Sequence, residues 1–189
     1  MFGLKSSLLA ALALAAGAAQ AGAVTLTSDG RWNVFDVDAF TATTAGVEWI
    51  DITDGSALSF DFTVPIGYTA RLTVVDAGFA GDTFSVFNGS SLLGSTGAVA
   101  VGDFALADNA GLDFDLALAS PRFSSAVFML NAGSYQIRGL LSQSVQAFGS
   151  NLDATVGGLR VSLVPEPATI FTVLAGLGMV GVATRRRRA

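Results

Sequence analysis

Residues 58–89 read LSFDFTVPIGYTARLTVVDAGFAGDTFSVFNG. Leu58, Phe60, Phe62 and Val64 alternate with Ser59, Asp61 and Thr63. Successive side chains on a strand point to opposite faces, so the pattern predicts a strand with one buried and one wet face. Pro65-Ile66-Gly67 then turns the chain, because proline presets φ and glycine tolerates the left-handed region. Further strands are expected over residues 70–75 and 83–87, the latter closed by the tight-turn pair Asn88-Gly89.

The same two-residue period continues through the body of the chain. Leu112, Phe114, Leu116 and Leu118 alternate with Asp113, Asp115 and Ala117 and read as another strand. Residues 32–37, 47–52, 126–131, 134–141 and 154–163 complete the set. Ser28-Asp29-Gly30, Thr53-Asp54-Gly55 and Asn131-Ala132-Gly133 supply turns between them. No segment keeps a 3.6-residue period, and residues 144–151 are the best candidate for a short helical turn. Many short strands with Gly, Asn and Asp turns predict an all-β fold, an antiparallel β-sandwich of jelly-roll or Greek-key kind. A body of this size buries a core of its own, and most of the 14 phenylalanines lie in it to fill that core.

The two ends follow other rules. Residues 1–21 read MFGLKSSLLAALALAAGAAQA. Lys5, an apolar run from Leu8 to Ala16, and the small-x-small triplet Ala19-Gln20-Ala21 form a secretory signal peptide, cut after Ala21 or after Ala23. From Leu8 to Ala19 there is no polar face for a buried helix to turn to water. Residues 164–189 read VPEPATIFTVLAGLGMVGVATRRRRA. Residues 168–184 carry no charge, and as a helix would span roughly 25 Å of a hydrocarbon core about 30 Å thick. Arg185, Arg186, Arg187 and Arg188 would hold that end of a transmembrane helix on the cytoplasmic side. Lys5 marks the same side, so the body between lies outside. Pro165 and Pro167 fix φ, remove two donors and disfavour helix, which leaves Val164-Pro165-Glu166-Pro167 extended at the outer mouth of the span. The chain thus divides into residues 1–21, a β-sandwich body over 24–163, and a topogenic end over 164–189.

Pro-Glu-Pro, a short span and a terminal arginine cluster, in that order, resemble the PEP-CTERM sorting signal of Gram-negative bacteria. The resemblance implies that exosortase, a membrane-embedded protease, recognises the end and cuts near the motif, so that the inner membrane anchors the protein only transiently. It implies a destination at the cell surface or in an exopolysaccharide matrix. In proteins with this signal the same short region is sometimes labelled the C-terminal domain of ice-binding proteins, a label that describes the end and not an activity. The stretch at 58–89 and the later FMLNAGSYQIRG look like sandwich modules often found beside such signals. A plain tail anchor is the alternative reading of the end.

Composition narrows the chemistry. The chain has no cysteine and no histidine, which removes Cys/His zinc sites, Ser-His-Asp triads and Cys-His pairs. Between the two ends, five arginines face Glu48 and thirteen aspartates, a net charge of −9 that argues against nucleic acid as a partner. Asp76-Ala-Gly-Phe-Ala-Gly-Asp82 is a candidate calcium loop, with Asp36, Asp38, Asp51 and Asp54 as further oxygen donors. The alternative there is turn chemistry, which the same residues serve. Asp113 and Asp115, on one strand face roughly 7 Å apart, have the separation of a glycosidase pair, or else form a solvated face. Trp32, Trp49, Tyr68 and Tyr135 offer rings for sugar stacking or for the core. Thr25, Thr27, Thr41, Thr43 and Thr44 invite ice binding but keep no repeat. The leading expectation is a non-enzymatic, exported envelope protein without a cofactor. Its rival is a ligand-binding module for carbohydrate, assisted by calcium, or for ice.

Overall fold

The computed structural model describes residues 22–44 and 46–166. The expected signal peptide, with Ala19 and Ala21, lies outside the described residues. So do Pro167, the expected span over 168–184, and Arg185, Arg186, Arg187 and Arg188. Among the described residues no helix is long and apolar enough to cross a membrane.

The elements in chain order are β1 (Gly22–Thr25), β2 (Asn33–Asp38), β3 (Leu58–Val64), β4 (Tyr68–Asp76), β5 (Gly78–Phe79), β6 (Thr83–Asn88), β7 (Ser91–Ser95), β8 (Asn109–Gly111), α1 (Phe114–Ala119), β9 (Ser125–Leu130), β10 (Gly133–Gln143), β11 (Gln146–Ala147), β12 (Ser150–Asn151) and β13 (Ala154–Pro165). Two main sheets result. One has the order β1-β3-β10-β6-β7 and the other β2-β13-β4-β9. Every pairing in them is antiparallel except β1 with β3, which is parallel.

Alternation explains the layering. Phe60, Phe62 and Val64 of β3, Phe84 and Val86 of β6, and Ile137 and Leu141 of β10 join one buried cluster. Phe35 and Val37 of β2, Leu72 and Val74 of β4, and Leu159 and Val161 of β13 enter the same cluster from the second sheet. Two mostly antiparallel sheets sharing one apolar interior are consistent with a β-sandwich. Trp49, fully buried, stacks on Phe35 at 3.8 Å between ring centroids and 17° between planes. Gly139 admits it: a Cβ there would stand 2.1 Å from Trp49 Cε2. Gly157 and Gly158 do the same for Phe35 and Phe114.

Three expected elements differ. Residues 112–118 form no strand; α1 starts at Phe114, with Asp113 as its N-cap. The Asp113 side chain accepts a hydrogen bond from Leu116 N at 2.9 Å, which satisfies one of the orphan donors of the first turn. The helix buries Phe114 and Ala117 against Val75, Ala77 and Phe123, so β4 is covered on both faces. Residues 47–52 form bridges instead of a strand. Trp49 N donates to Gly139 O in the first sheet and Ile50 N to Asp36 O in the second, so the segment steps between sheets. Residues 144–151 contain no helical turn; β11 and β12 pair as a hairpin whose loop residues Phe148 and Gly149 sit at φ 53° and 80°. Two successive positive φ values match a two-residue primed turn.

Candidate functional site

Two of the regions singled out in the sequence, the sorting stretch and the acidic loop, lie at opposite ends of the body. β4 runs from Tyr68, beside the sorting stretch, to Asp76, in the acidic loop. Eight residue steps along a strand separate the two by about 26 Å.

At the first end, β13 continues past residue 163 into the expected sorting stretch. Val164 pairs with Thr69 and Pro165 with Tyr68, in register with the rest of β4. Thr69 Oγ1 donates to Val164 O at 3.4 Å, and Glu166 N donates to Gly67 O at 3.0 Å. β2 has already ended its pairing with β13 at Leu159. Pro165 therefore sits where the strand has a partner on one side only, the position in which a missing N–H does least harm. The boundary expected between residues 163 and 164 falls inside one strand, so no linker separates the sheet from Pro165-Glu166.

At the other end, Asp76 closes β4 and Asp82 precedes β6. Both are buried, at 0% and 1% exposure. Asp76 Oδ2 accepts weakly from Gly81 N and Asp82 N, at 3.4 and 3.3 Å. Asp82 Oδ1 accepts from Val145 N at 2.7 Å. The second oxygen of each carboxyl, Asp76 Oδ1 and Asp82 Oδ2, is buried without a partner, and so is Thr155 Oγ1. Burial, and then the neighbouring Asp82 charge, push the Asp76 carboxyl up to about 9. Burial also raises Asp82, to about 6, against the lowering effect of the nearby Thr155 hydroxyl and the Val145 N–H; the Asp153 charge adds to the rise. Thr155 thus lies close enough to Asp82 to favour its charge while completing no hydrogen bond of good geometry.

Three of the four further aspartates of the expected oxygen set serve turns, and the fourth, Asp36, lies within β2. Asp38 accepts from Phe40 N and from Thr41 Oγ1, at 2.9 and 2.6 Å. Asp51 and Asp54 accept from Thr53 N and Ser56 N, at 2.8 and 2.9 Å. Asp36 is half-buried; burial, then Asp51 and Asp38, raise its pKa. Among the described residues no three acidic, histidine or cysteine side chains converge as a metal cluster.

Asp113 and Asp115 lose the strand-face spacing expected of them. Asp113 caps α1, and Asp115, in its first turn, accepts from Arg160 Nη1 and Trp32 Nε1 at 3.1 and 3.2 Å. Arg160 also lies over the Trp32 ring, 4.3 Å from its centroid. Tyr135 stacks on Phe62, Tyr68 packs against the core, and Trp49 is inside it, so none of the four rings forms part of a joint open platform. Thr25 lies in β1, whereas Thr41 and Thr43 bond locally to Asp38 and Gly55 O after β2.

The family model of the PEP-CTERM protein-sorting motif matches residues 163–188. The chain carries a PEP-CTERM sorting motif. The motif implies processing by exosortase, a membrane protein, and membrane-anchored sorting in the envelope. Its described part, Leu163 to Glu166, is the paired end of β13 and the first residue beyond it. Among solved structures, the pre-peptidase C-terminal domain of collagenase from Bacillus anthracis aligns with 76% of this chain and 97% of its own. Identity is 9% and the TM-score 0.40. No curated protein matches.

Proposed function

We propose that the chain is an exported cell-envelope protein whose β-rich body is non-catalytic and is delivered outside the inner membrane by its PEP-CTERM end. In this reading the signal peptide starts export, the span over residues 168–184 anchors the chain transiently, and an exosortase-type protease acts at Pro165-Glu166-Pro167. The body, a sandwich of jelly-roll or Greek-key kind, then joins the cell surface or an exopolysaccharide matrix. The observation that carries the reading is the sorting motif at residues 163–188. Support for a non-catalytic body comes from the engagement of Asp113 and Asp115 in a helix cap and an ion pair.

The test is fractionation of cells expressing the full chain or a Pro165→Ala, Pro167→Ala variant. The wild-type body is expected in the surface and medium fractions, and the variant in the inner membrane. Equal distribution of the two would contradict the proposal.

A further inference from the structure

We infer that Asp76 and Asp82 form a calcium site at the end of the body remote from the sorting motif, with Asp76 Oδ1, Asp82 Oδ2 and Thr155 Oγ1 as ligands. Acidic residues in a loop do not by themselves make such a site. Here the second observation is the buried, unpartnered oxygen on each carboxyl, together with a third on Thr155. Burying two carboxyl groups side by side carries a heavy desolvation penalty unless a counter-charge or a proton offsets it. No arginine or lysine forms an ion pair with either: the ion pairs among the described residues are Arg31 with Asp29, Arg122 with Asp108, and Arg160 with Asp115. A divalent cation neutralises both carboxylates at once and takes up the free oxygens.

The chemistry of the donors selects the ion. All three ligands are hard oxygens, and the described residues include no histidine or cysteine to favour a transition metal. Calcium accepts an irregular set of 6–8 oxygens, whereas magnesium demands near-octahedral geometry. The rest of the shell would come from backbone carbonyls and water. Two carboxylates set a modest affinity, of the order of 10⁻⁴–10⁻³ M, the range of extracellular modules. The loop is built to stay closed around the pair. Gly81, at φ 130°, leaves no room for a side chain, since a Cβ would stand 2.3 Å from Gly102 N. Gln143 Nε2 ties Gly81 O to Val99 O at 2.7 and 3.2 Å.

The test uses the full chain in mild detergent at neutral pH, freed of metal with chelator, and then given 10 mM calcium or 10 mM magnesium. Calcium is expected to raise the melting temperature by roughly 3–10 °C, with one ion bound per chain by native mass spectrometry. Asp76→Asn and Asp82→Asn are each expected to lower calcium affinity at least tenfold, and Thr155→Val to lower it less. Asp108→Asn, at an exposed ion pair, is expected to leave it unchanged. The wild-type titration stands even where a variant fails to fold. The absence of both a bound ion and a shift in melting with calcium would overturn the assignment, as would an equal response to magnesium or a full response in folded Asp82→Asn. The sorting proposal is independent of each of these results.

Discussion

Asp76 and Asp82 place two carboxyl groups where water does not reach. Without a cation, the folded chain holds the Asp76 proton more tightly than the unfolded chain does. A carboxyl raised by folding contributes its full stability below the ordinary carboxylate range and loses it as pH rises through the folded value. That value is about 9 for Asp76 and about 6 for Asp82, with Asp153 the further charge that faces Asp82. In chelator, stability by urea titration is therefore expected to fall from about pH 4 upward, by up to about 1.4 kcal/mol per pH unit for each carboxyl as far as about pH 6, and for Asp76 alone from there to about pH 9. Calcium is expected to flatten that slope, and a flat profile in chelator would contradict it. Residue-scale packing gives a second expectation. Gly139→Ala drives a Cβ into the Trp49 ring and should cost about 1–3 kcal/mol in the same titration. The sequence showed the two aspartates of the loop as paired oxygens. It could not show their burial, which depends on loops contributed by Val145 and Asp153, more than sixty residues away.

At the scale of elements, alternation was a sound guide wherever one strand face meets the interior and the other meets water. β3, β6, β10 and β13 lie where their period places them, within one or two residues for most of their length. It misled at residues 112–118, where an apolar face every second residue also fits a short helix over Phe114 and Ala117. The discriminating signal was Asp113, a preferred N-cap residue placed three residues before Leu116. Asp113→Ala is expected to cost about 1 kcal/mol in thermal or chemical denaturation, whereas loss of a merely solvated strand carboxylate would cost almost nothing. The β11–β12 hairpin was hidden for a different reason. Its turn uses Phe148 where asparagine or aspartate would announce positive φ. Phe148→Asn is accordingly expected to hold or raise the melting temperature, and a clear drop would contradict the turn geometry.

For the whole molecule, the consequential feature is the direct passage from sheet to sorting motif. The motif itself was legible as a run of proline, glutamate, proline, uncharged residues and arginines, because topogenic signals are read locally and need no tertiary context. Its attachment to β4 was not, since a proline pair reads as the end of a strand when the register of the partner is unknown. Val164 and Pro165 are paired with Thr69 and Tyr68, so a protease acting at the motif must first free those last residues of β13. Eight glycine and serine residues inserted between Leu163 and Val164 would separate motif from sheet, and pulse–chase labelling is expected to show faster processing. An unchanged rate would mean that the pairing does not restrain cleavage. The decisive measurement is the C-terminal residue of the body recovered from the cell surface, read by mass spectrometry in a cell that contains exosortase. A terminus near Pro165–Pro167, with Arg185–Arg188 gone, is the expected result; surface protein that still carries those four arginines would contradict sorting by cleavage.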